Sequence, residues 1–312
     1  MINDLEKSIL KATAYFDMLE YPLTFFALHE WLDFLTAPIE LKKALDHLKR
    51  EGIIGRKNGF YFLAGRDFLV DKKLRSYCLS PGKFKKAIRV IKFLKVLPWI
   101  RGIAVYGSLS LGNTKPESDV DLFIIAEQGR IWSGRFFINS FLKFFNLRPD
   151  KKNSRDKICV SYFVAGDKLN LSSAISPDNE NFYGYGTAQF IFIYEEDNIG
   201  REFFEANRWL KEKFPAWFPY QINCRRKIKS SRGLIKTILE KIAGVIPEKY
   251  FEKFQMFILP EGLKAMKDKK DKNESTDVII NRQMLKLHDS NRSRGFERNY
   301  KLKINHLING QD

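Results

Sequence analysis

The stretch from Ile103 to Ile125 constrains this chain more than any other. Ile103-Ala104-Val105-Tyr106 is an apolar run that ends at Gly107-Ser108, and after ten further residues Asp119-Val120-Asp121 opens a second apolar run, Leu122-Phe123-Ile124-Ile125. In a strand, alternate side chains share a face, so Asp119 and Asp121 point the same way, about 6 to 7 Å apart along the chain. Two carboxylates so placed can share hard divalent cations and leave room for phosphate oxygens as further ligands. Gly107 lets the backbone approach a bulky anion, and Ser108 adds a hydroxyl and an N–H. Such residues also dominate ordinary turns. It is the strand before them, the spacer and the apolar strand behind the acids that carry the chemical reading.

Tyr106-Gly107-Ser108 followed by Ser118-Asp119-Val120-Asp121-Leu122 resembles the signature of the DNA polymerase beta-like nucleotidyltransferase superfamily. The resemblance implies an α+β protein: a small mixed-sheet nucleotidyltransferase core, here flanked by an N-terminal winged helix and a C-terminal helical region. It implies that Gly107 and Ser108 hold a nucleoside triphosphate, with ATP the expected donor; Ser118 beside the acids, and Lys115 and Asn113 in the spacer, are further candidate contacts, although a spacer lysine can equally be only solvated. Asp119 and Asp121 would bind Mg²⁺ (or Mn²⁺) and be catalytic, moving a nucleoside monophosphate to an acceptor with release of pyrophosphate. Two departures stand against full activity. Leu111-Gly112 occupies the place where many small members have Arg-Gly, and Cys159-Val160-Ser161-Tyr162, on the next strand, lacks the usual third carboxylate. Ser161 is the expected occupant of that third position, and the neighbours His288 and Asp289 are the candidate source of a base. The alternative is a catalytically impaired protein of this fold that binds nucleotide or nucleic acid in a regulatory, antitoxin-like role.

The formal charge of +17 over 312 residues concentrates polyanions around the protein, a class that includes nucleotides, nucleic acids and anionic membrane surfaces. No apolar stretch is long enough to span a membrane, and the N-terminus has no secretion signal, so the expected location is the cytoplasm. Cys78, Cys159 and Cys224 lack the spacing of a zinc site or a disulfide framework and are read as reduced.

Along the chain, three helical patterns and a hairpin marked by Asn58-Gly59 suggest a winged helix over residues 1–65. Lys42, Lys43, Lys49 and Arg50 on its third helix, with Arg56 and Lys57 at the hairpin, are the candidate contacts to RNA or DNA, although a charged face can equally be only solvated. Ser80-Pro81-Gly82 reads as the break between a helical linker, 66–82, and the core, 83–170. Within the core, a helix, two strands, the aromatic helix Ile131 to Leu147 and a third strand from Ile158 are expected. Beyond Asp167 no strand is expected. Gly186 to Tyr194 reads as a helix, Asp197 as a cap for another, and residues 171–263 as a helical region. Lys264 to Glu274 reads as a flexible linker within a basic C-terminal segment, 264–312, whose Met284-Leu285-Lys286 stretch is more ordered in character.

Overall fold

A computed structural model describes residues 2–150, 153–223, 226–229, 233–271, 278–287 and 292–310. The chain starts with helix α1 (Asp4–Met18), which Asn3 and Glu6 open with a reciprocal capping box. Strand β1 (Leu23–Thr24) leads into α2 (Phe25–Glu30), where the Thr24 hydroxyl accepts from Ala27 N. Helix α3 (Pro38–Arg50) has Pro38 in its first turn and ends before Gly52, at φ +70°. Strands β2 (Ile54–Lys57) and β3 (Phe60–Leu63) follow. Asn58 and Gly59 both have positive φ, as the two-residue turn between these strands requires. The small antiparallel sheet has the order β1-β3-β2.

Helix α4 (Phe68–Leu94) then runs unbroken through Pro81. The expected break at Ser80-Pro81-Gly82, and with it the boundary between linker and core, is absent. Pro81 removes the amide that would reach the carbonyl of Tyr77. The helix persists because Lys73, Ser76, Ser80 and Lys83 tie one of its faces to the loop that holds Thr114 and Ser118.

The main sheet has the order β7-β4-β5-β6-β9-β8, built from β4 (Ile100–Tyr106), β5 (Val120–Ala126), β6 (Ile158–Ala165), β7 (Ile191–Glu195), β8 (Ile279–Ile280) and β9 (Met284–Lys286). Strands β5 and β6 are parallel and the other neighbours antiparallel. Helix α5 (Ile131–Phe144) makes the crossover between β5 and β6. One face of the sheet packs Ile103, Val105, Leu122 and Ile124 against α4 and α5. The other packs Ala104, Phe123, Tyr162 and Phe192 around Phe203.

Several expectations past Asp167 are overturned. Helix α6 (Glu180–Ala188) stops early, and Ile191 to Tyr194 form β7 on the flank of β4. This short β-branched and aromatic run is buried on both faces, which suits a strand. Asp197 and Asn198 are both left-handed and turn the chain into α7 (Ile199–Ala206), so Asp197 is no cap. Helices α8 (Trp209–Lys213), α9 (Leu234–Gly244), α10 (Glu248–Ile258) and α11 (Glu261–Asp271) follow, and the last occupies much of the expected flexible linker. The ranges 83–170, 171–263 and 264–312 therefore all contribute strands to one sheet.

Helix α12 (Arg292–Asn309) returns to α1. Tyr15 stacks on Tyr185 at 3.9 Å between ring centroids, with Phe296 at 5.1 Å and Tyr300 at 6.1 Å. The N-terminal unit thus shares a core with α6, α8 and α12. Asp17, buried there, is paired with Arg66 at 2.9 Å and with Lys303. Cys78 and Cys159 are free thiols; Cys224, like His288 and Asp289, lies outside the described residues. Among the described residues no helix is long and apolar enough to cross a membrane.

Candidate active site

The adjacent ends of β4 and β5 hold the acids. Tyr106 pairs in register with Asp121, and Gly107 then turns away at φ +68°. A methyl on Gly107 would stand 2.8 Å from Asp121 Oδ2, so the glycine makes room for the carboxylate itself. The turn from Gly107 to Gly112 closes on its own backbone: Gly112 N donates to Leu109 O at 3.0 Å, Asn113 N to Ser108 O at 2.8 Å, and Ser110 Oγ to Gly107 O at 2.9 Å.

Across the parallel pair, Asp121 lies beside Cys159. Ligand atoms of Asp119, Asp121 and Cys159 all fall within 4.8 Å of one another. Cys159 thus stands beside the two acids, with the expected Ser161 close by. An extra residue in β6 lies beyond the pair of Asp121 with Cys159, since Phe123 pairs with Tyr162 where even spacing would give Ser161. Strand alternation keeps Ser161 on the face of Cys159, where its hydroxyl is 3.7 Å from the Cys159 sulfur and bonds the Tyr106 phenol. Burial first, and then the Asp121 charge, push the Cys159 thiol up to about 12, so it is protonated at neutral pH. The same two causes raise the Tyr106 phenol well above its ordinary value. Asp156 and Asp167, at the ends of β6, are engaged elsewhere. Asp156 meets Lys83 at 2.6 Å, a hydrogen bond that holds its carboxyl below the usual range, and Asp167 accepts from Gln283 at 3.1 Å.

Four polar side chains of α4, spaced along one face, support the loop between Gly107 and Asp119. Lys73 Nζ donates to the carbonyls of Leu111 and Gly112 at 2.9 and 3.0 Å, and Ser76 Oγ donates to Thr114 O at 2.9 Å. Ser80 meets the Thr114 hydroxyl at 2.9 Å, and Lys83 Nζ donates to Pro116 O and Ser118 O at 3.0 and 2.8 Å. Lys73 is fully buried, with its ammonium 3.9 Å from the Tyr21 ring centroid and 4.4 Å from that of Tyr77. Burial pushes it down to about 7. Its i, i+3, i+7, i+10 spacing to Ser76, Ser80 and Lys83 was the sequence signal for this ladder, hidden by the proline inside it.

The other expected nucleotide contacts are dispersed. Lys115 pairs with Glu20 at 3.2 Å, and Ser118 Oγ accepts from Lys115 N at 2.9 Å to close a turn. Asn113 donates to Leu19 O at 2.8 Å and so ties the loop to the N-terminal unit. On the strand beyond β6, Lys286 is paired with Tyr162, placing it on the Asp121 face, buried with its ammonium 3.5 Å from the centroid of the Tyr183 ring. On the N-terminal unit, Lys42 pairs with Asp46 and Lys57 with Asp71, each at 3.1 Å, while Lys43, Lys49, Arg50 and Arg56 are exposed. His47, on the same helix as Lys43, is held at 2.6 Å by the buried carboxylate of Glu6.

A mixed sheet with two carboxylates at the start of one strand, Asp119 just before it and Asp121 within it, facing a glycine turn at the end of its neighbour, defines a nucleotidyl-transfer fold. Residues 85–165 match the family model described as nucleotidyltransferase domain, and this part of the chain is a nucleotidyltransferase domain of the DNA polymerase beta-like superfamily. The match begins inside α4 and closes at the end of β6. A search of curated proteins and a search of solved structures each found no match.

Proposed function

We propose that the protein transfers a nucleoside monophosphate from a nucleoside triphosphate, with ATP the expected donor, in the presence of Mg²⁺ or Mn²⁺. The observation that carries this reading is the placement of the Asp121 carboxylate against the bare α-carbon of Gly107, with Asp119 beside it. Two carboxylates suit a hard divalent cation, and the neutral Cys159 thiol adds no hard ligand. A cation held by Asp119 and Asp121 would neutralise charge on the phosphates. Gly107 and Ser108 orient the triphosphate at the start of the turn. An acceptor oxygen attacks the α-phosphorus, the bond from that phosphorus to the β-phosphate bridge oxygen breaks, and pyrophosphate leaves. With Cys159 protonated and no carboxylate in its place, the acceptor best suited to this site is already ionised or easily ionised, such as a phosphate or a phenol. The reading places the protein in the cytoplasm, where nucleoside triphosphates and reduced thiols are found.

Calorimetric titration with magnesium and ATP tests the site. Asp119→Asn and Asp121→Asn should each abolish Mg²⁺-dependent nucleotide binding without lowering the melting temperature, and unchanged affinity in both would refute the assignment. The Cys159 thiol favours a second reading, a nucleotide-binding protein with little transfer activity. Incubation with labelled nucleoside triphosphates and total cellular RNA, protein and metabolites separates the two by whether anything becomes labelled.

The N-terminal order α1-β1-α2-α3-β2-β3 supports a winged helix that contacts RNA or DNA through Lys43, Lys49, Arg50 and Arg56, with Lys42 and Lys57 nearby. Reversing Lys43, Lys49 and Arg50 to Glu should flatten the salt dependence of nucleic-acid binding. An unchanged slope would make this face a protein-docking or merely solvated one.

A further inference from the structure

Helix α9 is packed inside out, and α10, which buries Phe251, leaves three other aromatic side chains exposed. A surface helix ordinarily turns its apolar stripe to the core and its charges to water. Here α9 directs Lys236 inward, where its ammonium meets the Glu196 carboxylate at 2.5 Å. Glu240 also turns inward, to Trp99 N at 2.9 Å and Arg101 at 3.0 Å. Leu234, 83 % exposed, and Ile235, Ile238 and Ile242 face outward instead. Val245, in the connection, is 81 % exposed. On α10, Glu248 caps α5 through Trp132 N and Ser133 N at 2.6 and 3.0 Å, while Tyr250, Phe254 and Phe257 are exposed. The apolar surface continues through the contact of Phe254 with Phe136, at 6.0 Å between ring centroids, onto α5, which ends at the exposed Phe144 and Phe145. A patch of this kind on a folded protein marks an interaction surface.

Charge identifies the partner. Between residues 234 and 258 the exposed charged side chains are Lys241, Lys249 and Lys253, whereas Glu240, Glu248 and Glu252 are each held by a protein group. The face is apolar and cationic, with no exposed carboxylate in that segment. Pairing it with itself across a two-fold axis would set lysine against lysine. An anionic bilayer answers both features: acyl chains and glycerol backbones receive the apolar side chains, and headgroup phosphates receive the lysines.

We propose that α9, α10 and the end of α5 form a docking surface for an anionic membrane. Each of α9 and α10 has 11 residues, or about 16 Å of helix against about 30 Å of hydrocarbon, so they lie in the plane of the interface and do not cross it. Glu240 fastens the patch near the Ile100 end of β4, whereas the carboxylates sit at the Tyr106 end. From there the patch runs back along α5 to Phe144, near the start of β6, on the sheet face of Leu122 and Ile124 and opposite the face of Asp121.

Vesicle co-sedimentation of the full chain tests this, with phosphatidylcholine vesicles compared with vesicles of two parts phosphatidylcholine to one of phosphatidylglycerol. The wild type should pellet with the anionic vesicles and stay in solution with the neutral ones. Ile242→Glu combined with Phe257→Glu, and separately Lys241→Glu, Lys249→Glu and Lys253→Glu together, should each lower partitioning by on the order of a hundredfold. All of these positions are exposed, so the melting curves should be unchanged. Failure of the wild type to bind anionic vesicles would overturn the proposal, as would binding that both variants retain. A dimer in sedimentation velocity that Ile242→Glu dissolves, without vesicle binding, would assign the face to a second copy of the chain.

Discussion

Gly107 and Cys159 set the limits of the candidate site, one by leaving space and the other by its chemistry. Alanine at 107 would meet the left-handed penalty of about 1–2 kcal/mol and force the Asp121 carboxylate aside. Gly107→Ala should therefore weaken magnesium-dependent nucleotide binding by more than about tenfold while costing only a few degrees of melting temperature. Calorimetry and thermal melting decide it, and retained affinity would remove Gly107 from the site. Cys159→Asp supplies the missing carboxylate at the position that faces Asp121. A third acid beside two others should lower the melting temperature without metal and enlarge the rise that Mg²⁺ produces, because like charges repel until a cation joins them. An unchanged response to Mg²⁺ would show that Cys159 does not occupy the third place. Gly107, Asp119 and Asp121 were legible in the sequence because they lie close together on two consecutive strands. Cys159 was not, because Cys159 and Ser161 alternate onto one face, and which of them lies beside Asp121 is set by the register of β6 against β5, strands more than thirty residues apart.

At the scale of the element, α4 behaves as a rail along which the nucleotide loop is laid. Lys73 is its most informative rung. Its ammonium sits at about 7, against about 10.4 in an unfolded chain, so between those values the unfolded state binds the proton more tightly. Its contribution to stability is therefore smallest at or below about pH 7 and grows as the pH rises towards about 10. The stability of the wild type relative to Lys73→Met should increase between about pH 6 and about pH 9, as read from denaturant melts. A difference that does not vary with pH would mean that the two tyrosine rings and the carbonyls keep the cation charged throughout. The same variant should weaken nucleotide binding, because the carbonyls of Leu111 and Gly112 lose the Lys73 ammonium and Gly112 keeps only the Ser76 hydroxyl. Local pattern gave the first three helices, α5 and the Asn58-Gly59 hairpin because capping and turn chemistry act over a few residues. It failed at Pro81 and at Ile191 to Tyr194, where the deciding partners, the Thr114 loop and β4, are far along the chain.

For the whole molecule, the N-terminal unit cannot be removed as a separate piece, because Tyr15, Tyr185, Phe214 and Tyr300 belong to one core. Tyr300→Ala should destabilise the protein by about 3–5 kcal/mol and speed hydrogen exchange in α1 and α6 together. Faster exchange confined to α12 would show that the three helices open independently. This shared packing was invisible in the sequence, where α1 and α12 stand at opposite ends and neither shows which helix it meets.

The sheet order also imposes a schedule on synthesis. Strand β6 pairs with β5 on one side, but its other neighbour, β9, is not made until Met284 to Lys286. At roughly 5–20 residues per second, β6 waits on the order of ten seconds with one row of amides and carbonyls bare. The stretch that carries the acids and the thiol is thus translated early and finished late. During that interval the nascent chain presents an open strand edge, a template for pairing with its neighbours on the same message. Chains cut before residue 278 would never lose it.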